Sequence, residues 1–443
     1  MRKPTENVEI FKKRRQKAIA KLGGNALIVG AHPELIRNDD VHYRHRQDSN
    51  IYYLTGFEEP ESIVMLLPGK NPQEVLFVRR KNPERETWDG FRYGPAAAQT
   101  EFKFDQVYPI DEFSERAPEL LKGFDGIYYR VRKNPELDEK VFGVVESLKS
   151  HYGRSGLGLV NILDADEFMG QMRVVKGEEE IQNMRMACEI SAQGHLSAMK
   201  KIRPGMTERQ IEAILQYEFL NRGAAREGYT AIVASGNAAT TLHYNFNDQP
   251  CRDGDLLLID AGAEFHYYSG DITRTFPVNG RFTKPQLEVY NHVLDVQKKI
   301  TDMTKPGVPL RKLHEVAAEL LTDAMLDLGL LSGKRSDLIS ANQHRKYYPH
   351  GLGHYLGLDV HDAGKYVKSM SASEELLPLE AGMTFTIEPG LYIPANDTSA
   401  PAELRGIGVR IEDDVLVTAT GCEVMTKSAP KEVADLEKIV GKG

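Results

Sequence analysis

Four carboxylates and a cluster of histidines in the second half of the chain have the types and spacing to do chemistry. Asp260 closes the run Leu256 to Ile259, which is apolar on both faces and so predicts a buried strand. Asp271 opens the next predicted strand, DITRTFPV, and Gly262 and Gly270 flank the turn between, so a hairpin would set the two acids opposite each other. Either aspartate alone is also explained by a cap or a salt bridge, since a buried carboxylate is costly unless paired or metal-bound. In MTFTIEPG, Glu388 shares a face with Thr384 and Thr386; in GVRIEDD, Glu412 shares a face with Arg410. The long turn PANDTSAPAELRG lets these two segments pair antiparallel, with Arg410 as a charge partner of the carboxylates. Glu412-Asp413-Asp414 also reads as a solvated strand end.

The histidines lie in PHGLGHYLGLDVHD. His350 and His354 are four apart, but Gly351, Gly353 and Gly357 argue against a helix. No Glu follows His350, as the helical HExxH zinc mechanism requires. A loop or bent strand is expected, in which glycine lets backbone approach a site closely. His354 and His361 would face opposite ways on a straight strand, so their joint action needs that bend. His243, in SGNAATTLHYNF, stands apart and by itself reads as a core or surface histidine. Four carboxylates with one imidazole form a hard, oxygen-rich donor set without thiolate, which favours Mn²⁺, or alternatively Co²⁺ or Zn²⁺. Four negative charges are half compensated by one divalent ion and neutralised by two. Two ions about 3.5–4 Å apart can clamp a tetrahedral intermediate, so the implied reaction is metal-assisted hydrolysis.

The elements that must position these groups follow a change of character near residue 174. Upstream, a basic amphipathic stretch (Ile10 to Leu22) leads into strand-like ALIVGA, IYYLTGF, SIVMLL, EVLFVRR, GIYYR and GLGLV, a mixed α/β pattern. Arg44, His45, Arg46 and Asp48 there read as a solvated or subunit-contacting loop. Downstream, Gly177 precedes three glutamates, which favour a helix start. Arg203-Pro204-Gly205 and Lys305-Pro306-Gly307 each precede a helix pattern, the first with a capping-box spacing of Thr207 and Gln210. Each half later reaches an acid-bearing strand. The expectation is a duplicated α+β unit, residues 174–443, behind an N-terminal α/β domain, residues 1–173, with the site between the duplicated halves.

Composition narrows the class. At 443 residues the chain exceeds the about 250–300 at which one core stops growing. A formal charge of -8 argues against a nucleic-acid binder. The longest apolar runs fall far short of the about 20 residues that cross a bilayer, so no membrane partner is expected. The first residues lack the apolar stretch of a secretion signal, and Cys188, Cys251 and Cys422 suit buried thiols in a reducing compartment, so a cytoplasmic location is expected.

His350-Gly-Leu-Gly-His354-x-Leu-Gly-Leu-x-Val-His361-Asp, with Asp260, Gly270-Asp271-Ile-Thr-Arg274, Glu388-Pro-Gly and Arg410-Ile-Glu412-Asp, resembles the signature blocks of the pita-bread metallopeptidases. The likeness spans about residues 174 to 425. It is closest to the bacterial-type branch that releases the N-terminal residue from peptides with proline second; the branch that cuts only Xaa-Pro dipeptides shares the same ligands. The resemblance implies two divalent ions, most simply Mn²⁺, with Asp260 on one, His354 and Glu388 on the other, and Asp271 and Glu412 bridging. It further implies Glu388 as proton shuttle, His243 and His361 on the substrate carbonyl, His350 lining the proline side, and Arg410 and Tyr392 in support. A homodimer or homotetramer is implied, and Trp88 reads as a surface aromatic or a visitor to a neighbouring subunit's site.

Overall fold

Asn25–Gly30, Ile63–Leu66 and Glu74–Val78 are short apolar runs bounded by turn residues, and each forms a strand buried along most of its length. In the computed structural model, which describes residues 4, 6–155, 161–369 and 372–443, they belong to the first of two compact units, Met1–Met172 and Arg173–Gly443. The first unit holds a six-stranded mixed sheet in the order Gln106–Pro109, Glu74–Val78, Ile63–Leu66, Asn25–Gly30, Gly126–Tyr128, Asn161–Leu163. Helices Phe113–Leu121 and Pro135–Tyr152 place Phe113, Leu121, Val141 and Leu148 in its core. The expected strand GLGLV, residues 156–160, lies outside the described residues.

Two readings of this unit are corrected. IYYLTGF is not a strand: Ser49–Thr55 is a helix, buried at every position. Its ends decide it, because Asp48 accepts the N–H groups of Asn50 and Ile51, and Gly56 caps the other end at φ 65°. For the same reason Asp48 is no solvated loop residue; it is buried, with Lys133 Nζ at 2.7 Å. The basic helix Val8–Ile19 also buries Arg15, whose guanidinium meets Glu74 at 2.6 Å and donates to the carbonyls of Leu54, Phe102 and Lys103.

The second unit repeats a helix–turn–helix before each of its sheets. Glu178–Lys201 and Glu208–Asn221 are joined through Gly205 at φ 93°; Lys284–Met303 and Leu310–Asp327 are joined through Gly307 at φ 87°. Thr207 and Gln210 cap each other reciprocally. The first half then forms the antiparallel sheet Ile232–Ser235, Leu256–Asp260, Thr273–Pro277. The second half forms Thr384–Ile387, Asp413–Val417, Cys422–Val424 and the hairpin Gly390–Ile393 with Ile407–Arg410. The two halves meet where the Glu412 N–H donates to Thr273 O at 3.0 Å and Thr275 Oγ1 to Arg410 O at 2.9 Å. One continuous core, including Leu257, Ile259, Phe276, Phe385, Ile387 and Val409, runs beneath both.

Candidate metal centre

The first pair of acids is positioned by strand register. Asp260 stands opposite Thr273, so Asp271, two residues before Thr273, reaches the same face. The strand itself starts at Thr273 rather than at Asp271. The turn between is so close that a Cβ on Gly262 would fall 1.7 Å from Gly270 O. Tyr229 binds both acids, its hydroxyl 2.5 Å from Asp260 Oδ1 and against Asp271 Oδ1.

The second half brings the remaining donors. The segment carrying the histidines runs as an irregular strand beside Thr384–Ile387: Thr386 N–H donates to His354 O at 2.9 Å and Glu388 N–H to Leu352 O at 2.8 Å. Only glycine fits at 353, where a Cβ would lie 1.9 Å from Thr386 O. His354 Nδ1 faces the Tyr355 carbonyl at 3.1 Å, which can only accept, so Nε2 keeps its lone pair. That Nε2 points to Asp271 Oδ2 at 3.5 Å and Glu388 Oε1 at 3.6 Å. Thr273 Oγ1 donates to Glu412 Oε2 at 2.6 Å. Ligand atoms of Asp271, His354 and Glu412 all lie within 4.8 Å of one another.

Around these donors Arg410 donates to Asp260 Oδ2 at 2.6 Å, to Thr273 Oγ1 at 3.0 Å and to the Tyr392 hydroxyl at 3.1 Å. Tyr392 meets His350 Nε2 at 2.8 Å, and His350 Nδ1 meets Gly351 O at 2.7 Å. Because arginine only donates and a carbonyl only accepts, the chain has one direction: Arg410 to Tyr392, Tyr392 to His350, His350 to Gly351. His361 stacks edge-on against His354 at 4.3 Å, so the glycine bend is present and brings both rings together. His243 is exposed and makes no hydrogen bond among the described residues.

Charge shows what the cluster lacks. Burial, then the charges of Asp260 and Asp414, push the Asp271 carboxyl well above its ordinary range. Burial and the neighbouring Asp271 and Glu388 do the same to Glu412. Glu388 rises to about 8 through burial, with Arg410 opposing and Asp260 adding. Burial holds His354 down at about 4, so its imidazole is neutral and able to ligate. Arg410 cannot balance four acids alone, and hard oxygen donors with one free imidazole nitrogen fit divalent cations.

The solvated reading of Glu412-Asp413-Asp414 fails, since all three are buried. Asp413 pairs with Arg274 Nη2 at 2.6 Å and with Lys431. Asp414 accepts the Asp271 N–H at 2.8 Å and the Cys188 thiol at 3.2 Å, holding Asp271 from behind. Tyr229, Thr273 and Asp414 were not singled out in the sequence. Tyr229 and Asp414 reach the site across contacts distant in sequence, and no spacing marks them; Thr273 sits in the Asp271-x-Thr273 alternation that could have. Of the three thiols, all free, Cys188 and Cys251 are buried while Cys422 is half-buried.

Residues 182–419 match the model of metallopeptidase family M24, and residues 11–128 that of the aminopeptidase P N-terminal domain. The Xaa-Pro aminopeptidase of Haemophilus influenzae is 41% identical over 98% of this chain and 97% of its own. That of Escherichia coli is 38% identical over 97% of each. Among solved structures, zinc-substituted E. coli aminopeptidase P in complex with product superimposes with a TM-score of 0.92, at 38% identity and 98% coverage of both chains. Pseudomonas aeruginosa aminopeptidase PepP gives 0.93, at 40% identity and the same coverage.

Proposed function

The chain belongs to metallopeptidase family M24, a metal-dependent hydrolase with the pita-bread fold that removes the N-terminal residue from Xaa-Pro peptides, and we propose which of its residues do so. Asp260, Asp271, His354, Glu388 and Glu412 would hold two divalent ions. The observation that carries this is the meeting of Asp271, His354 and Glu412 donor atoms within 4.8 Å, with no protein cation beyond Arg410 to offset the acids among the described residues. Bound there, the ions supply Lewis-acid polarisation of the scissile carbonyl and a lowered pKa for the attacking water.

The remaining work falls to side chains. An Xaa-Pro bond is a tertiary amide without N–H, and its departing ring nitrogen must gain a proton. Glu388, at the mouth of the histidine segment, passes that proton. His361, whose ring lies 4.3 Å from that of His354, and His243 donate to the carbonyl oxygen as it gains charge. The directed chain from Arg410 through Tyr392 fixes the His350 ring, which lines the proline side. Arg410 also orients Asp260.

We assign Mn²⁺ as the working ion, on the strength of the oxygen-rich donor set. A homodimer or homotetramer is supported by exposed Leu35, Ile36, Val41, Tyr43 and Trp88, and a cytoplasmic location by three unpaired thiols. No described helix is long and apolar enough to cross a membrane. The test is metal analysis of purified protein beside turnover of Ala-Pro and Ala-Pro-Ala-Ala. About two divalent ions per chain and cleavage of the tetrapeptide are expected. Metal-loaded protein that leaves the tetrapeptide intact would overturn the reading.

A further inference from the structure

His361 is exposed, and its ring makes no hydrogen bond among the described residues, only an edge contact with His354 at 4.3 Å between ring centres. A ring without a partner of its own can aim an N–H at one oxygen only where the backbone that carries it is fixed. That backbone is a loop, residues 356–362, with neither helix nor strand.

The loop is closed on itself. The Asp362 N–H donates to Tyr355 O at 2.8 Å, the same carbonyl that His354 Nδ1 faces at 3.1 Å, so one oxygen joins the far end of the loop to the ligand histidine. Within it the Gly357 N–H donates to Asp359 O at 3.1 Å, and the Leu356 N–H ties its start to Thr384 O at 3.1 Å. The Asp362 side chain turns back over Gly357. A Cβ at 357 would fall 2.3 Å from Asp362 Oδ2 and 3.1 Å from Lys176 Cε, so glycine is what lets the loop fold this tightly.

Two cations from the start of the second unit hold the Asp362 carboxylate. Lys176 Nζ lies 3.0 Å from Oδ2, while Arg173 Nη2 meets Oδ1 and also reaches Asp359 at 2.7 Å. The Lys176 and Asp362 side chains are each 1% exposed, and that of Arg173 4%. Lys176 is fixed in turn by its backbone N–H, which donates to Gly382 O at 2.9 Å just before the strand Thr384–Ile387. Charges held out of water cannot exchange a partner for solvent, so such a cluster fixes geometry even where it adds little stability. We propose that Asp362, clamped by Lys176 and Arg173, is the positioning residue that aims His361 at the scissile carbonyl. The inference rests on the Xaa-Pro aminopeptidase reading, in which His361 donates to that oxygen, and adds the device that places the ring. An interaction made only as charge develops shows in kcat rather than in KM.

The test uses manganese-loaded wild type, Asp362→Asn and Lys176→Met with Ala-Pro-Ala-Ala as substrate, and adds metal content and a crystal structure of each variant. In both variants kcat should fall about 10- to 100-fold while KM stays within about threefold. Metal content should match wild type, and the His361 ring should leave its 4.3 Å contact with His354. A role in stability alone would lower Tm and leave both kcat and the ring where they are. Should Asp362→Asn fail to fold, Lys176→Met decides, because Arg173 still pairs with Asp362 there. A kcat within about twofold of wild type in the folded variants, a ring that keeps its place, or metal lost together with turnover overturns the proposal. A wild type that leaves Ala-Pro-Ala-Ala intact overturns the aminopeptidase reading instead, while the crystal structures still report whether the clamp holds the ring.

Discussion

Stripping the divalent ions with a chelator leaves the half-buried Glu388 among Asp260, Asp271 and Glu412 with only Arg410, among the described residues, to offset them. Its carboxyl then sits at about 8 in the folded protein against 4.5 when exposed. A raised folded pKa contributes stability that is complete below pH 4.5 and is lost as pH climbs through 8. Between pH 6 and pH 9 the loss from this one group is about 3 kcal/mol, being about two pH units of the shift at 1.36 kcal/mol each. For a unit of this size about 2–3 °C accompanies each kcal/mol, so the metal-free Tm should fall roughly 5–8 °C across that interval. Manganese at a hundredfold excess over its Kd restores about 2.7 kcal/mol, because it binds only the folded cluster. Differential scanning calorimetry at pH 6, 7.5 and 9, with chelator or with manganese, reads both arms. Glu388→Gln removes one titrating proton and should make the metal-free slope shallower, with Asp271 and Glu412 still contributing to it. A metal-free Tm that stays level or rises with pH, or a Glu388→Gln protein with the wild-type slope, would refute the charge argument for the site.

Other perturbations have equally specific outcomes. Asp271→Ala should lose metal by elemental analysis and lose turnover, while circular dichroism stays that of a folded chain; retained activity would remove Asp271 from the ligand set. Gly353→Ala places a methyl 1.9 Å from Thr386 O, so the strand must shift and carry His354 with it; kcat/KM should fall about 100-fold or more with weaker metal binding. Arg15→Met leaves Glu74 buried without its cation and should destabilise the N-terminal unit by about 3–5 kcal/mol in denaturant unfolding, with the metal content unchanged.

What could be read from the chain was whatever local pattern dictates. The Thr207 and Gln210 cap, the paired Pro-Gly turns and the acid-ended strand Leu256–Asp260 follow from neighbours a few residues apart, and the structure has each of them. The Ser49–Thr55 helix was read as a strand because a short apolar run buried all round has no visible period, and the deciding signals were at its ends, Asp48 and Gly56. Asp414 reads from the sequence as part of a solvated strand end, and Tyr229 carries no signal, for a different reason. Each meets Asp271 across a long stretch of chain, 42 residues for Tyr229 and 143 for Asp414, and nothing adjacent in sequence announces it.

Asp413 and its neighbours on either side, Glu412 and Asp414, show why burial alone would have been a poor guide to function. All three side chains are out of water. Burial works to raise Asp413, but Arg274 and Lys431 outweigh it and hold its carboxyl ionised, so its charge is spent on joining the strand to the segment around Ala429. Among the described residues Glu412 has no such cation against it beyond Arg410, which is shared with Asp260, and it is pushed the other way. A fold that can place Arg274 beside one acid could place an arginine beside the next. Leaving Asp271, Glu388 and Glu412 short of protein cations keeps the folded chain under electrostatic strain that an ion supplied from outside relieves, and the same shortage makes the ion bind.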